Sequence, residues 1–156
     1  MIWDGASFGG AKIAAMLGDA LLAYRRDDKA GIPFPGMIDL PGGGRENDEN
    51  PAECVLRELA EEFGITLRAE RLHYHRSYLL TDGATVSHFF AARLTEAEVA
   101  AVQFGDEGQD WALMPAADFI ADGDAVPKLR EWLTHYLAAD DAIGYLNTAF
   151  KKPGKA

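Results

Sequence analysis

With 156 residues, 48% hydrophobic and 26% charged, the chain has the composition of an ordinary folded domain, not of a disordered or fibrous protein. Its formal charge of −10 argues against a broad nucleic-acid or anionic-membrane surface, since basic patches usually bind both. No apolar run approaches the roughly 18 residues of a membrane span, no basic-then-apolar leader opens the chain, and the one cysteine, Cys54, has no internal disulfide partner. A soluble cytoplasmic protein is the expectation, with one domain over residues 1–156 and flexible ends at about 1–10 and 151–156.

In chain order, Lys12–Leu17 and Ala20–Arg26 are short apolar runs separated by Gly18-Asp19, a hairpin signal. Residues 27–37 carry Gly31, Pro33, Pro35 and Gly36 and read as a loop. Ile38–Leu40 is a short strand leading into Pro41-Gly42-Gly43-Gly44. A helix follows: Asn50 is a good N-cap, Pro51 suits the first position, Glu53 completes a capping box, and Gly64 stops the helix. Its apolar stripe is Val55, Leu56, Leu59 and Phe63. Ile65–Leu80, broken somewhere, and Thr85–Leu94 are strand candidates joined by a turn at Thr81-Asp82-Gly83. Thr95 to Glu98 is a capping box for a short helix to about Gln103. Trp111–Met114 is a last strand and Ala125–Ala138 a second amphipathic helix. The apolar stretch Ile143–Phe150 has no assignment. This order fits a mixed sheet with helices on both faces, an α/β class.

Within the first helix Glu58, Glu61 and Glu62 share one face directly after the glycine turn. Such neighbours repel by roughly 0.2–0.5 kcal/mol per pair, and a hard divalent cation would reverse that cost. Arg57 precedes Glu61 by one helical turn and is placed to orient that acid or Glu49. Glycines 42–44 let backbone approach a ligand closely. Histidines 73, 75, 88 and 135 lack a zinc-like pattern, and no serine or cysteine nucleophile motif is present.

From Gly43 to Ile65 the chain matches the 23-residue Nudix box at every specified position and so resembles a Nudix hydrolase. The resemblance implies an α/β/α sandwich and divalent-metal-dependent hydrolysis of a nucleoside diphosphate linked to another group. It implies Mg²⁺, or Mn²⁺, held by Glu58, Glu61, Glu62 and the Gly42 carbonyl. Gly105-Asp106-Glu107-Gly108-Gln109 ahead of Trp111 is similar to a loop of the MutT branch that supplies a further acidic ligand, which marks Glu107. That branch also carries paired arginines at the end of the second strand. Adjacent strand residues point to opposite faces, so one of Arg25 and Arg26 faces the cleft, and the resemblance favours Arg26 as a phosphate contact. Glu58 is the first choice for the general base, Glu107 the second.

The implied substrate is a nucleoside triphosphate, cleaved to monophosphate and pyrophosphate. No proline lies between Pro51 and Pro115, which counts against the ADP-ribose branch. The NADH-type signature is missing, and Tyr78 is near the place where a tyrosine marks dinucleoside polyphosphate hydrolases, but not at it. Leu40 stands where the oxidised-guanine enzyme has an aromatic. Phe34, Tyr78 and Trp111 are candidate stacking partners for a base. A nucleotide-sugar or ADP-ribose pyrophosphatase and a non-catalytic nucleotide sensor are the alternatives, although a sensor usually lacks one or more of the acids. Net charge and the lack of an RNA-binding extension disfavour an RNA cap. The expected partner is a small nucleotide, with no duplex nucleic acid and no membrane; monomer and homodimer stay open.

Overall fold

In the computed structural model, which describes residues 3–151, the hairpin at Gly18-Asp19 joins β1 (Gly10–Leu17) and β2 (Ala20–Arg25). The two strands pair only beside the turn, Met16 with Leu21 and Leu17 with Ala20. Beyond it they splay, and two very short strands fill the gap. β3 (Ile38–Asp39) pairs with β2, and β4 (Gly42–Gly44) pairs with β1. The wedge sets Asp39 opposite Tyr24 and Gly42 opposite Lys12. The glycine turn therefore sits inside the sheet, not above it.

The free edge of β1 takes β6 (Val86–Arg93) in parallel, β5 (Leu72–Leu79) lies antiparallel on β6, and β7 (Asp110–Pro115) antiparallel on β2. The result is a mixed seven-stranded sheet. Helix α1 (Pro51–Phe63) covers one face, packing Val55, Leu59 and Phe63 against Ile13, Leu22 and Phe90. Each of these large side chains is fully buried, which stabilises the fold by about 1.5–3 kcal/mol apiece. The other face carries α3 (Ala116–Ala121) and α4 (Pro127–Lys151), whose Phe119, Leu129, Leu133 and Tyr136 meet Leu21 and Phe89. A short α2 (Glu96–Ala100) starts at the Thr95 capping box. The architecture is the α/β/α sandwich.

The caps of α1 are as expected: Asn50 accepts from the Glu53 amide, the Glu53 side chain accepts from the Asn50 amide, and Gly64 adopts the left-handed conformation. Several assignments differ from expectation, most by one or two residues and some by more. Residues 65–68 are irregular and a 3₁₀ turn at Ala69–Arg71 precedes β5, because Arg71 turns out to pair with Glu98 at 2.8 Å and with the Arg93 carbonyl. The α2 helix ends at Ala100, not Gln103. Helix α3 was not anticipated, since six residues show too little periodicity. Helix α4 begins at Pro127, not Ala125, and continues past Ala138 through 143–150 to Lys151. The segment expected to be loose at 1–10 carries Phe8 into the core, with Trp3 edge-on against it at 5.8 Å. The expected flexible tail lies largely outside the described residues. Among the described residues no helix is long and apolar enough to cross a membrane.

Candidate active site

Two structural pieces make the site: the wedge of β3 and β4, and the face of α1 that looks at it. Gly42 has a φ of +134°, and a Cβ there would overlap the Ala11 carbonyl, so only glycine fits between β1 and the helix. At Gly43 a Cβ would come within 2.7 Å of the Glu58 carboxyl carbon. Absent side chains in the turn make room for the helix carboxylates.

Glu62 accepts from the Gly42 amide at 2.8 Å. Burial raises the Glu62 pKa to about 7, although Lys12 and the Gly42 bond oppose the shift; Glu58 and Asp39 add to it. Burial also raises the pKa of Glu58, against the nearby Arg57 and with some repulsion from Glu61. Arg57 is the hub on the outer side. It bonds Glu49 at 2.5 Å, Glu58 Oε1 at 2.8 Å, Glu61 at 3.1 Å and the Gly44 carbonyl at 2.9 Å. The bond to Glu49 is the chief reason that its guanidinium is held well above its usual pKa. Arg57 thus ties the glycine turn to the helix and leaves Glu58 Oε2 outside its grip.

On the inner side stands Asp39, 2% exposed. Its Oδ2 accepts from Lys12 Nζ at 3.0 Å, Arg26 Nη1 at 2.8 Å and the Tyr24 hydroxyl at 3.2 Å, while Oδ1 accepts from the Leu40 amide at 2.7 Å. Burial pulls its pKa upward, but Lys12, Arg26 and the Leu40 amide outweigh it and hold the carboxyl below its ordinary value. Lys12 Nζ also donates to the Gly42 carbonyl at 3.2 Å, which links this cluster to the turn. Sequence reading missed Asp39, Lys12 and Tyr24. The available signal was a lone charge in each of two apolar strands, where an unpaired charge is not tolerated.

Arg25 and Arg26 part company. Arg26 joins Asp39 and donates through Nε to the Pro33 carbonyl at 2.8 Å, whereas Arg25 donates to the Gly36 carbonyl at 2.7 Å. Glu107 is exposed, and its loop is fastened at both ends. The Gly105 amide donates to the Glu62 carbonyl at 2.8 Å and the Gln109 amide to the Arg25 carbonyl at 2.8 Å. Glu107 itself lines a cavity of about 210 Å³ with Tyr24, Arg26, Asp27 and Lys29. The fold brings the loop to the rim of the cleft on the Arg26 side. The histidines are satisfied by other partners: His73 bonds Tyr136 and His75 bonds His88, each at 2.7 Å. Burial of Cys54 raises its thiol pKa to about 11, which makes it a packing residue.

Glu58, Glu61, Glu62 and the Gly42 carbonyl are hard oxygen donors, and two of the acids resist ionisation where they stand. That chemistry fits a divalent cation. Among the described residues no three acidic, histidine or cysteine side chains converge as a ready-made cage, and Arg57 holds both Glu58 and Glu61.

Residues 7–136 match the family model described as the NUDIX domain. The chain belongs to this family. Nudix hydrolases generally use divalent metals. Among solved structures, the MutT protein from Methanosarcina mazei Go1 superposes with a TM-score of 0.68 at 19% identity, covering 89% of this chain and 99% of that one. That likeness concerns the fold. Curated relatives include the U8 snoRNA-decapping enzyme of Mus musculus, 36% identical over 74 residues, which are 45% of this chain and 38% of that protein. The RNA pyrophosphohydrolase of Gluconacetobacter diazotrophicus is 45% identical over 58 residues, 33% of this chain and 35% of that protein. The Nudix chain thus spans little more than a third of the curated relatives it matches.

Proposed function

We propose that this Nudix protein is a hydrolase that cleaves a nucleoside triphosphate to a nucleoside monophosphate and pyrophosphate. The observation that carries the reading is the apposition of Glu58 and Glu62 to the Gly42–Gly44 turn, with the Lys12–Asp39–Arg26 cluster directly behind it. Glu58, Glu61, Glu62 and the Gly42 carbonyl would hold Mg²⁺, or Mn²⁺, and Glu107 would join from the opposite rim. When bound, the ion neutralises phosphate charge and favours an ionised water. The protein's own groups supply position and a proton acceptor. Glu58 takes the water proton at Oε2, the oxygen that Arg57 leaves unengaged, while Arg57 fixes the carboxylate through Oε1. The water oxygen bonds to phosphorus, the bridging P–O bond breaks, and pyrophosphate leaves with the bond electrons. Lys12 and Arg26 stabilise the charge that develops on the phosphates.

A second reading has a specific observation behind it. Both curated relatives are named for action on RNA, so an RNA 5′ end is the alternative to a free nucleotide. The net charge of −10 favours the small substrate. Product analysis decides, with purified protein, Mg²⁺ then Mn²⁺, and a panel of common and oxidised triphosphates, ADP-ribose, dinucleoside polyphosphates, nucleotide sugars, and 5′-triphosphorylated and capped RNA. Monophosphate plus pyrophosphate from free triphosphates supports the proposal. Turnover confined to RNA or to ADP-ribose would move the protein to that branch with the same helix.

A further inference from the structure

Beyond the catalytic cleft, the start of α4, the end of β5 and Phe34 of the 27–37 loop line a cavity of about 450 Å³, which is in the range of small-molecule sites. Its walls include Phe34, Tyr78, Leu79, Lys128 and Trp132. Phe34 and Leu79 are 37% and 65% exposed, so this is where the described surface shows large apolar side chains most openly. Tyr78 stacks on Trp132 at 4.4 Å, and the ammonium of Lys128 lies 5.6 Å from both the Phe34 and the Trp132 ring centres.

Three observations connect this cavity to the reaction centre. The Pro33 carbonyl, just before Phe34, accepts from Arg26, whose other end bonds Asp39. The segment that leads into α4 is fastened to β3 beside Asp39, because the Ile38 amide donates to the Asp124 carbonyl and the Val126 amide to the Ile38 carbonyl. Lys128 also feels the same cluster electrostatically: burial lowers its pKa most, followed by repulsion from Lys12, with Asp39 opposing and Arg26 adding a little. Lys12 and Arg26 hold the buried Asp39 carboxylate, and Lys128 adds a third cation on the cavity side, in a chain of charge −10.

We propose that this cavity receives the base of the nucleotide, with Phe34 as its stacking partner and Lys128 facing the first phosphates. The inference rests on the nucleotide reading above and deepens it. A ligand with a planar ring at one end and several negative charges at the other matches an aromatic wall that runs into a cationic corner. A purely apolar occupant would leave Lys128 without an anion. Exposed Glu131 on the outer wall disfavours phosphate there and orients the ring outward. The backbone of Phe34 supports a functional role. Its φ is +49°, a conformation that a bulky side chain rarely adopts, and glycine would suit the turn better. An aromatic ring at such a place, 37% exposed, adds little to the core.

Phe34→Gly separates the two roles. Steady-state KM is measured for whichever common or oxidised nucleoside triphosphate the intact protein cleaves best, along with the inhibition constant of tripolyphosphate, which has phosphates and no base. The expected result is a KM raised about tenfold, as loss of one base–aromatic stack gives, with the tripolyphosphate constant unchanged and Tm equal or higher. Phe34→Tyr should restore KM. A Phe34→Gly KM within twofold of wild type would overturn the subsite, and so would an equal rise for tripolyphosphate, which indicates distortion of the phosphate site. Failure of the wild-type protein to cleave any common or oxidised nucleoside triphosphate overturns the nucleotide reading itself, and is seen before any variant is made.

Discussion

At Asp39, one carboxylate oxygen serves Lys12, Arg26 and Tyr24 at once. Removing a buried charge that balances two cations leaves both uncompensated, and such losses run to about 3–5 kcal/mol. Because Lys12 and Arg26 keep 16% and 21% side-chain exposure, water softens the effect. Asp39→Asn should therefore destabilise the protein by about 3 kcal/mol in urea unfolding; a loss below about 1 kcal/mol would show that the cluster is not a structural linchpin. Glu58 behaves in the opposite way. Its acidity is weakened by burial, so Glu58→Gln should leave Tm unchanged or raise it, while kcat falls about 10²- to 10⁴-fold. A kcat near wild type would transfer the base role to another acid, Glu107 first. Glu61→Gln at saturating Mg²⁺ should also lower turnover, and wild-type rates there would remove Glu61 from the ligand set.

Elements respond according to what a new atom would meet. Gly42 and Gly43 are neighbours in β4, yet alanine at each should do different damage. At position 42 the added Cβ meets backbone of β1 at a φ of +134°, so Gly42→Ala should disrupt folding. At position 43 it meets the far end of the Glu58 side chain, which can swing away. Gly43→Ala should thus keep its Tm within a few degrees and lose most activity. Circular dichroism melts beside turnover assays test the contrast, and two equally unfolded variants would refute it. The N-cap of α1 is a milder case. Asn50→Ala loses one bond of the capping box and should cost about 1 kcal/mol without touching the carboxylates.

The whole molecule should weaken in mild acid. His75 and His88 stack at 4.9 Å and share a hydrogen bond, and burial, then mutual repulsion, lowers His88 to about 4. An unfolded histidine titrates near 6.5, so below that pH the unfolded chain takes up a proton that the folded one refuses. The contribution is fully present above about pH 6.5 and is lost as pH falls toward 4, about 2 kcal/mol of it by pH 5. Tm should drop from pH 7.5 to pH 5, and His88→Gln should flatten part of that slope; an unchanged slope would assign it to other groups. The box helix, its caps, its acids and the hairpin were readable from the residues because each rests on contacts three or four residues apart, or across one turn. The sheet order, α3 and the full length of α4 were not, since they depend on which surfaces meet. The same division runs through the site. By itself the sequence determined the Nudix box, the carboxylate face and the glycine turn, all of them local. Only the tertiary structure decided that β3 and β4 wedge open the hairpin, that Asp39 gathers Lys12, Tyr24 and Arg26, and that Phe34 and Lys128 face one cavity. Phe34 and Lys128 lie 94 residues apart, and long-range packing alone sets their distance.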